Sequence, residues 1–280
     1  MSNILTAIKA IVKSSSNAIM SEQTESHNRA NQMGDALEDY VKKAFANCLN
    51  KDNDIFQQVR SSVFSYIGNS SNPPDAMLRG GEAIEIKKIE SLSTQLQLNS
   101  SYPKNKLFVD NPKICNACRD CEKWYEKDML YVVGHVDKQS LKNIFFIYGD
   151  LYCDSNEIYE SVQNKIEEGV KTIEGLNFER TKELGRVNKV DHLEITDLRI
   201  RGMWIIKSPF QHFKYLTDYI SDYSFKLVAL IPNDKYNQFD NKADFEEFCQ
   251  HNNVSILDQK IPDPKNPANL ISSKLIIYYY

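Results

Sequence analysis

Three side chains near the first third of the chain have the types and spacing to act on a phosphate ester: Asp75, nine residues, Glu85, one residue, then Lys87. Carboxylate oxygens hold hard divalent cations such as Mg²⁺, and cleavage of a phosphodiester needs charge neutralisation and an activated water. Asp75 and Glu85 would hold the metal while Lys87 positions or deprotonates the water. The backbone carbonyl of Ile86, between the two, is a natural further ligand. A salt-bridged hairpin with no chemistry would carry the same letters. The Pro73-Pro74 lead-in, the glycine turn and the apolar anchors Ile84 and Ile86 favour the chemical reading.

These groups work together only if the chain presents them on one face. Ala83 to Ile89 reads as a strand, whose alternation sends Ile84 and Ile86 one way and Glu85 and Lys87 the other. A three-residue loop at Gly80-Gly81-Glu82 would pair Met77 with Glu85 and set Asp75 opposite Lys87. A two-residue turn would point Asp75 away. Upstream, a helix from about Asn31 to Leu49 carries the stripe Met33, Leu37, Tyr40, Val41, Ala44 and Phe45. Glu38 flanks that stripe, either as a solvent-edge acid or as an extra ligand, and Gly34 would admit another backbone. Farther along, Arg199 and Arg201 alternate with Leu198 and Ile200, so a strand would project both guanidinium groups from one face. They could bind phosphates, pair with acids or read guanines. Asn99, Ser100, Ser101 and Lys104 lie in a polar stretch that reads as a surface loop or as a groove contacting bases and phosphates.

The rest of the sequence bounds the setting. At 280 residues the chain is near the size, roughly 250 to 300 residues, at which single cores stop growing. One domain is expected over 1–280, with an N-terminal helical part over about 1–50 and the hairpin at 72–90. A short helix at Met1 to Lys13 and a loop from Ser14 to His27 open it. After the hairpin come a helix at 115–128, strands at Met129 to Val136 and Asn143 to Gly149, and a helix around Asn156 to Thr172. A strand at Phe225 to Ile231, a helix at Lys242 to His251, and strands at Val254 to Leu257 and Leu275 to Tyr280 complete an α/β layered pattern. The net charge of -4 argues against indiscriminate nucleic-acid binding but leaves room for a basic cleft. No apolar run approaches a membrane span. Six cysteines do not make a secreted disulfide framework, so a cytoplasmic setting is expected. Cys115, Cys118 and Cys121 have the spacing of a partial iron–sulfur or zinc site without a nearby fourth cysteine, and on a helix they would simply pack. The five histidines are dispersed and no phosphate-binding loop of the ATPase type is present.

The hairpin resembles the PD-(D/E)xK nuclease motif. The stretches Asn28 to Glu38, Phe64 to Ser91, Leu98 to Lys104 and Asp197 to Trp204 are similar to the NgoPII family of type II restriction endonucleases. The resemblance implies a restriction-endonuclease-like core, a central mixed β-sheet flanked by helices. It implies Mg²⁺-dependent double-strand cleavage at a short palindrome, with GGCC expected, by a homodimer whose host is protected by a cognate DNA methyltransferase. Asp75, Glu85 and Lys87 would be catalytic, with Glu38 as the helix acid. GGCC suits Arg199 and Arg201, since arginine is the commonest bidentate partner of guanine. Two other readings remain: a repair or structure-selective nuclease of the same superfamily, and a non-enzymatic metal-thiolate or DNA-binding module.

Overall fold

The computed structural model describes residues 1–14, 29–69, 71–98, 101–179, 181, 184–218 and 223–280. The expected loop at 14–27 therefore falls almost wholly outside the described residues, as do Asn99 and Ser100. In chain order the N-terminal part supplies α1 (Ile4–Ser14), α2 (Arg29–Phe45) and α3 (Asn53–Val63), followed by β1 (Phe64–Asn69), β2 (Asn72–Leu78) and β3 (Ala83–Ile89). The short β4 (Leu96–Gln97), β5 (Lys106–Phe108) and α4 (Asn116–Arg119) lead to the long strands β6 (Glu126–Asp137) and β7 (Ser140–Tyr148). Then come α5 (Asn156–Lys171), β8 (Asn177–Glu179), β9 (Gly185–Asn188), β10 (Leu198–Ile200), β11 (Ile205–Ile206) and α6 (Pro209–His212). The C-terminal part is β12 (Lys226–Pro232), α7 (Asn233–Tyr236), α8 (Lys242–His251), β13 (Ser255–Asp263) and β14 (Asn266–Tyr279).

Eight strands pair in the order β1-β2-β3-β6-β7-β12-β14-β13, with β5 added alongside β6. The sheet is mixed: β3 runs parallel to β6 and β12 parallel to β7, while the other neighbours are antiparallel. This is the expected α/β architecture. Of its central strands, β12, Lys226 to Pro232, is buried along its whole length, as a near-continuous apolar run requires. Two apolar layers sandwich the sheet. One gathers Ile4, Ile8, Leu37, Val41 and Phe45 of α1 and α2 over Ile84, Ile86 and Val132. The other gathers Met77, Tyr131, Val133, Phe145, Phe210 and Phe213.

The helix carrying Glu38 sits on the first layer because its apolar stripe spans about one third of its circumference, with Leu37, Val41 and Ala44 fully buried. It closes on β6 at Gly134, where an added Cβ would lie 2.6 Å from a Leu37 methyl and 3.1 Å from Leu141. Gly134→Val is expected to lose about 1–3 kcal/mol in urea denaturation by forcing α2 off the sheet. The close approach expected at Gly34 is absent, since an added Cβ there meets no described atom within 4 Å.

Several boundaries differ from expectation. The 115–128 helix is only one turn long, Asn116–Arg119. The Trp124 indole donates to the Arg119 carbonyl at 3.1 Å, and β6 already begins at Glu126. Upstream of the hairpin, α3 runs directly into β1 with no intervening loop. The last two strands form one long hairpin, paired from Ser255–Ile277 to Asp263–Asn266.

Candidate active site

The β2–β3 hairpin has an odd-length connection, but not the expected one. Leu78 N–H donates to the Glu82 carbonyl at 2.9 Å, so the loop is Arg79-Gly80-Gly81. Met77 pairs with Ala83 and Ala76 with Ile84. The register is thus two residues from the expected pairing of Met77 with Glu85, and the rung that would continue it sets Asp75 against Glu85 rather than Lys87. Because the shift is even, the faces are preserved. Its cause lies outside the hairpin: the buried Lys127 Nζ donates to the carbonyls of Leu78 (3.1 Å) and Gly81 (2.7 Å) and pairs with Glu122 at 2.5 Å. Glu122 in turn accepts the Gly80 N–H at 3.0 Å. This clamp reaches the turn from Glu122 and Lys127, far downstream of it in the chain, and nothing in the hairpin's own sequence signals it.

Beyond Ala76 the β2–β3 ladder stops and a side chain takes over. The Asp75 Oδ2 accepts the Ile86 N–H at 2.6 Å. In an extended strand a residue's N–H and C=O point to the same side, so the Ile86 carbonyl also faces Asp75. Glu85 and Lys87 project from the face shared with Tyr131, the partner of Glu85 across β3–β6, and their side chains pair at 2.6 Å. Burial, then the neighbouring Glu85, push the Asp75 carboxyl up to about 7, against the opposing pull of Lys87. Burial alone would lower the Lys87 amine, but Glu85 and Asp75 outweigh it and hold it above its ordinary value. The ammonium is therefore charged at neutral pH.

Glu38 lies close enough for its charge to act on Asp75 and Lys87, yet its carboxylate is paired with Lys42 one turn along α2, at 2.8 Å. Among the described residues no group of three or more His, Cys, Asp or Glu is arranged to hold a metal. The oxygen set at the hairpin is two carboxylates and one carbonyl, all hard donors. It fits a divalent cation that keeps several waters, as Mg²⁺ does.

The other candidates lie elsewhere. Lys104 is turned inward, where its amine donates to the Ser101 hydroxyl and to the Tyr102 carbonyl at 3.2 Å. Burial lowers that amine to about 8, with Glu85 opposing the fall. Arg199 lies on β10, in a three-stranded sheet with β8 and β9, and Arg201 lies just past its end; both are exposed. β4 pairs with β11, and Leu98 N–H donates to the Trp204 carbonyl at 2.9 Å. The segments leading into Asn99 and out of Arg201 are thereby tied together.

No helix among the described residues is long and apolar enough to cross a membrane. No solved structure matches the chain. The sequence pattern of the NgoPII restriction endonuclease family matches residues 2–262. The chain is also 48% identical over 275 residues to the type II restriction enzyme NgoPII of Neisseria gonorrhoeae, covering 97% of this chain and 99% of that one. On both counts the chain belongs to the NgoPII restriction endonuclease family, a family of type II restriction enzymes.

Proposed function

We propose that the protein cuts double-stranded DNA at a short palindrome, GGCC, in a Mg²⁺-dependent reaction at Asp75, Glu85 and Lys87. The observation that carries this reading is the Asp75 carboxylate seated on the Ile86 N–H beside the Glu85–Lys87 pair. Asp75, Glu85 and the Ile86 carbonyl would hold the cation. When bound, it supplies Lewis-acid stabilisation of the phosphate charge and lowers the pKa of a bound water. The Ile86 N–H fixes the Asp75 carboxylate, leaving its second oxygen for the cation. Lys87, held charged by its acidic neighbours, suits orienting the water and balancing the phosphate better than removing a proton. Tyr131 and the apolar layer behind Glu85 keep that side of the site dry. Glu38 becomes an additional ligand if DNA or metal draws it from Lys42.

Base reading falls to Arg199 and Arg201, with Asn99, Ser100 and Ser101 as further contacts and the inward-facing Lys104 supporting the Ser101 hydroxyl from behind. A bidentate arginine–guanine pair contributes about 1–3 kcal/mol of discrimination. The pairing of β4 with β11 supports one continuous DNA-facing surface from these two segments. A palindrome calls for two sites related by a two-fold axis, hence a homodimer. The reading also entails 5′-phosphate ends, a cytoplasmic setting, and a cognate methyltransferase protecting host DNA. Digestion of a sequenced plasmid followed by end mapping tests it. With Mg²⁺ every end should fall within GGCC, and with a chelator the plasmid should stay intact. Scattered ends, or cleavage confined to branched or damaged DNA, would point to a repair nuclease instead.

A further inference from the structure

The chemistry above leaves three grouped thiols unused, and all six cysteines are free. The Cys115 Sγ lies 3.3 Å from the Tyr66 hydroxyl, and the Cys118 Sγ lies 3.3 Å from the Met77 Sδ. Tyr66 and Met77 are direct partners across β1–β2, so both sulfurs rest on one rung of that ladder. Between them the chain makes a tight turn, closed by the Cys118 N–H on the Cys115 carbonyl at 3.1 Å. Such a turn brings the two Cα atoms within about 7 Å, and disulfides span Cα separations up to about 6.8 Å.

The two thiols differ in the manner of an attacking and a resolving pair. Cys115 is partly exposed, and the Tyr66 hydroxyl, helped by backbone N–H groups of the turn, holds its thiol below the ordinary value. Cys118 is fully buried, and burial pushes its thiol up to about 12. The exposed thiolate is the better nucleophile towards an outside disulfide. The rung they sit on reaches the active strand: Met77 is two residues from Asp75, and the Tyr66 hydroxyl, whose single proton can go to Cys115 or to the Asn72 carbonyl, lies 3.1 Å from that carbonyl.

We propose that Cys115 and Cys118 form a reversible intramolecular disulfide when exposed to low-molecular-weight disulfides, and that closing it slows DNA cleavage by disturbing the strand that carries Asp75. The Cys115 thiolate attacks the disulfide RSSR, forming a Cys115–SR bond and releasing one RS⁻. Cys118 gives its proton to solvent and attacks the Cys115 sulfur, which breaks that bond and releases the second RS⁻. Two protein thiols are oxidised and one RSSR is reduced to two thiols. The slowing of cleavage rests on Asp75 being catalytic, whereas the bridge itself does not.

The full chain, incubated with glutathione disulfide, should lose two hydrogens in intact mass, and peptide mapping should join Cys115 to Cys118. Cleavage should fall about tenfold and return with dithiothreitol. Cys118→Ser should instead retain one glutathione on Cys115, while Cys121→Ser should close as wild type does. No loss of hydrogens, or a bridge that uses Cys121, overturns the pair; a Cys115–Cys118 bridge with unchanged cleavage overturns its coupling to the site. The mass is read without DNA, so failure of the bridge and failure of the Asp75 reading register in separate measurements.

Discussion

Lys87→Ala should bind a GGCC duplex within about tenfold of wild type yet cleave it on the order of 10²–10³-fold more slowly, the loss seen when one preorganised charge-stabilising donor is removed. The two effects separate because Lys87 faces Glu85 and Asp75 inside the site, whereas duplex binding draws on many phosphate contacts spread over the surface. Filter binding in Ca²⁺ and single-turnover cleavage in Mg²⁺ read the two quantities. Equal loss of both would make Lys87 a binding residue. The fold should survive the change, since Lys87 is a partly exposed side chain at the end of the ladder.

Asp75→Asn should do more than stop cleavage: it should stabilise the metal-free protein at alkaline pH. An aspartate in the unfolded chain ionises near 3.8, but in the folded, metal-free site Asp75 holds its proton up to about 7. Between those values the native state binds a proton that the unfolded state lacks, so stability rises as pH falls from above 7 towards 4. Above pH 7 the native state carries a buried charge beside Glu85. Asparagine keeps an acceptor for the Ile86 N–H and removes that charge. The variant should exceed wild type at pH 8 by on the order of 2–4 kcal/mol, with the two converging near pH 4, in urea denaturation with a chelator present. Added Mg²⁺ at pH 8 should narrow the gap by stabilising wild type alone.

The parts of the fold that were legible in the sequence are those with a strong local period. The stripe of Leu37, Val41 and Phe45 and the alternation from Ala83 to Ile89 each predict their element, and both are present. What failed depended on distant partners. The hairpin register is off by two because Glu122 and Lys127 pin the turn at Arg79-Gly80-Gly81, and no local turn preference carries that information. The β13–β14 hairpin extends through Asp258 to Lys274, mostly polar and exposed over much of its length. With Ile261 and Ile271 as its apolar anchors on the second layer, the segment leaves little alternation to read. Lys104 shows the converse: a lysine in a polar stretch reads as exposed, but Tyr131 hydrogen-bonds its backbone N–H and C=O and draws the segment inward. At the site, side-chain type and spacing placed Asp75, Glu85 and Lys87 on one face. They could not show that Asp75 closes the end of the ladder or that Glu38 rests on Lys42.

In the proposed reaction Asp75, seated on Ile86, anchors the cation that drives cleavage. Its most direct test mixes Mg²⁺ with pre-bound GGCC duplex and follows a single turnover for wild type and Asp75→Asn. Wild type should cut both strands while the variant holds the duplex uncut on the same timescale. Equal rates of cutting would place the active centre elsewhere in the chain.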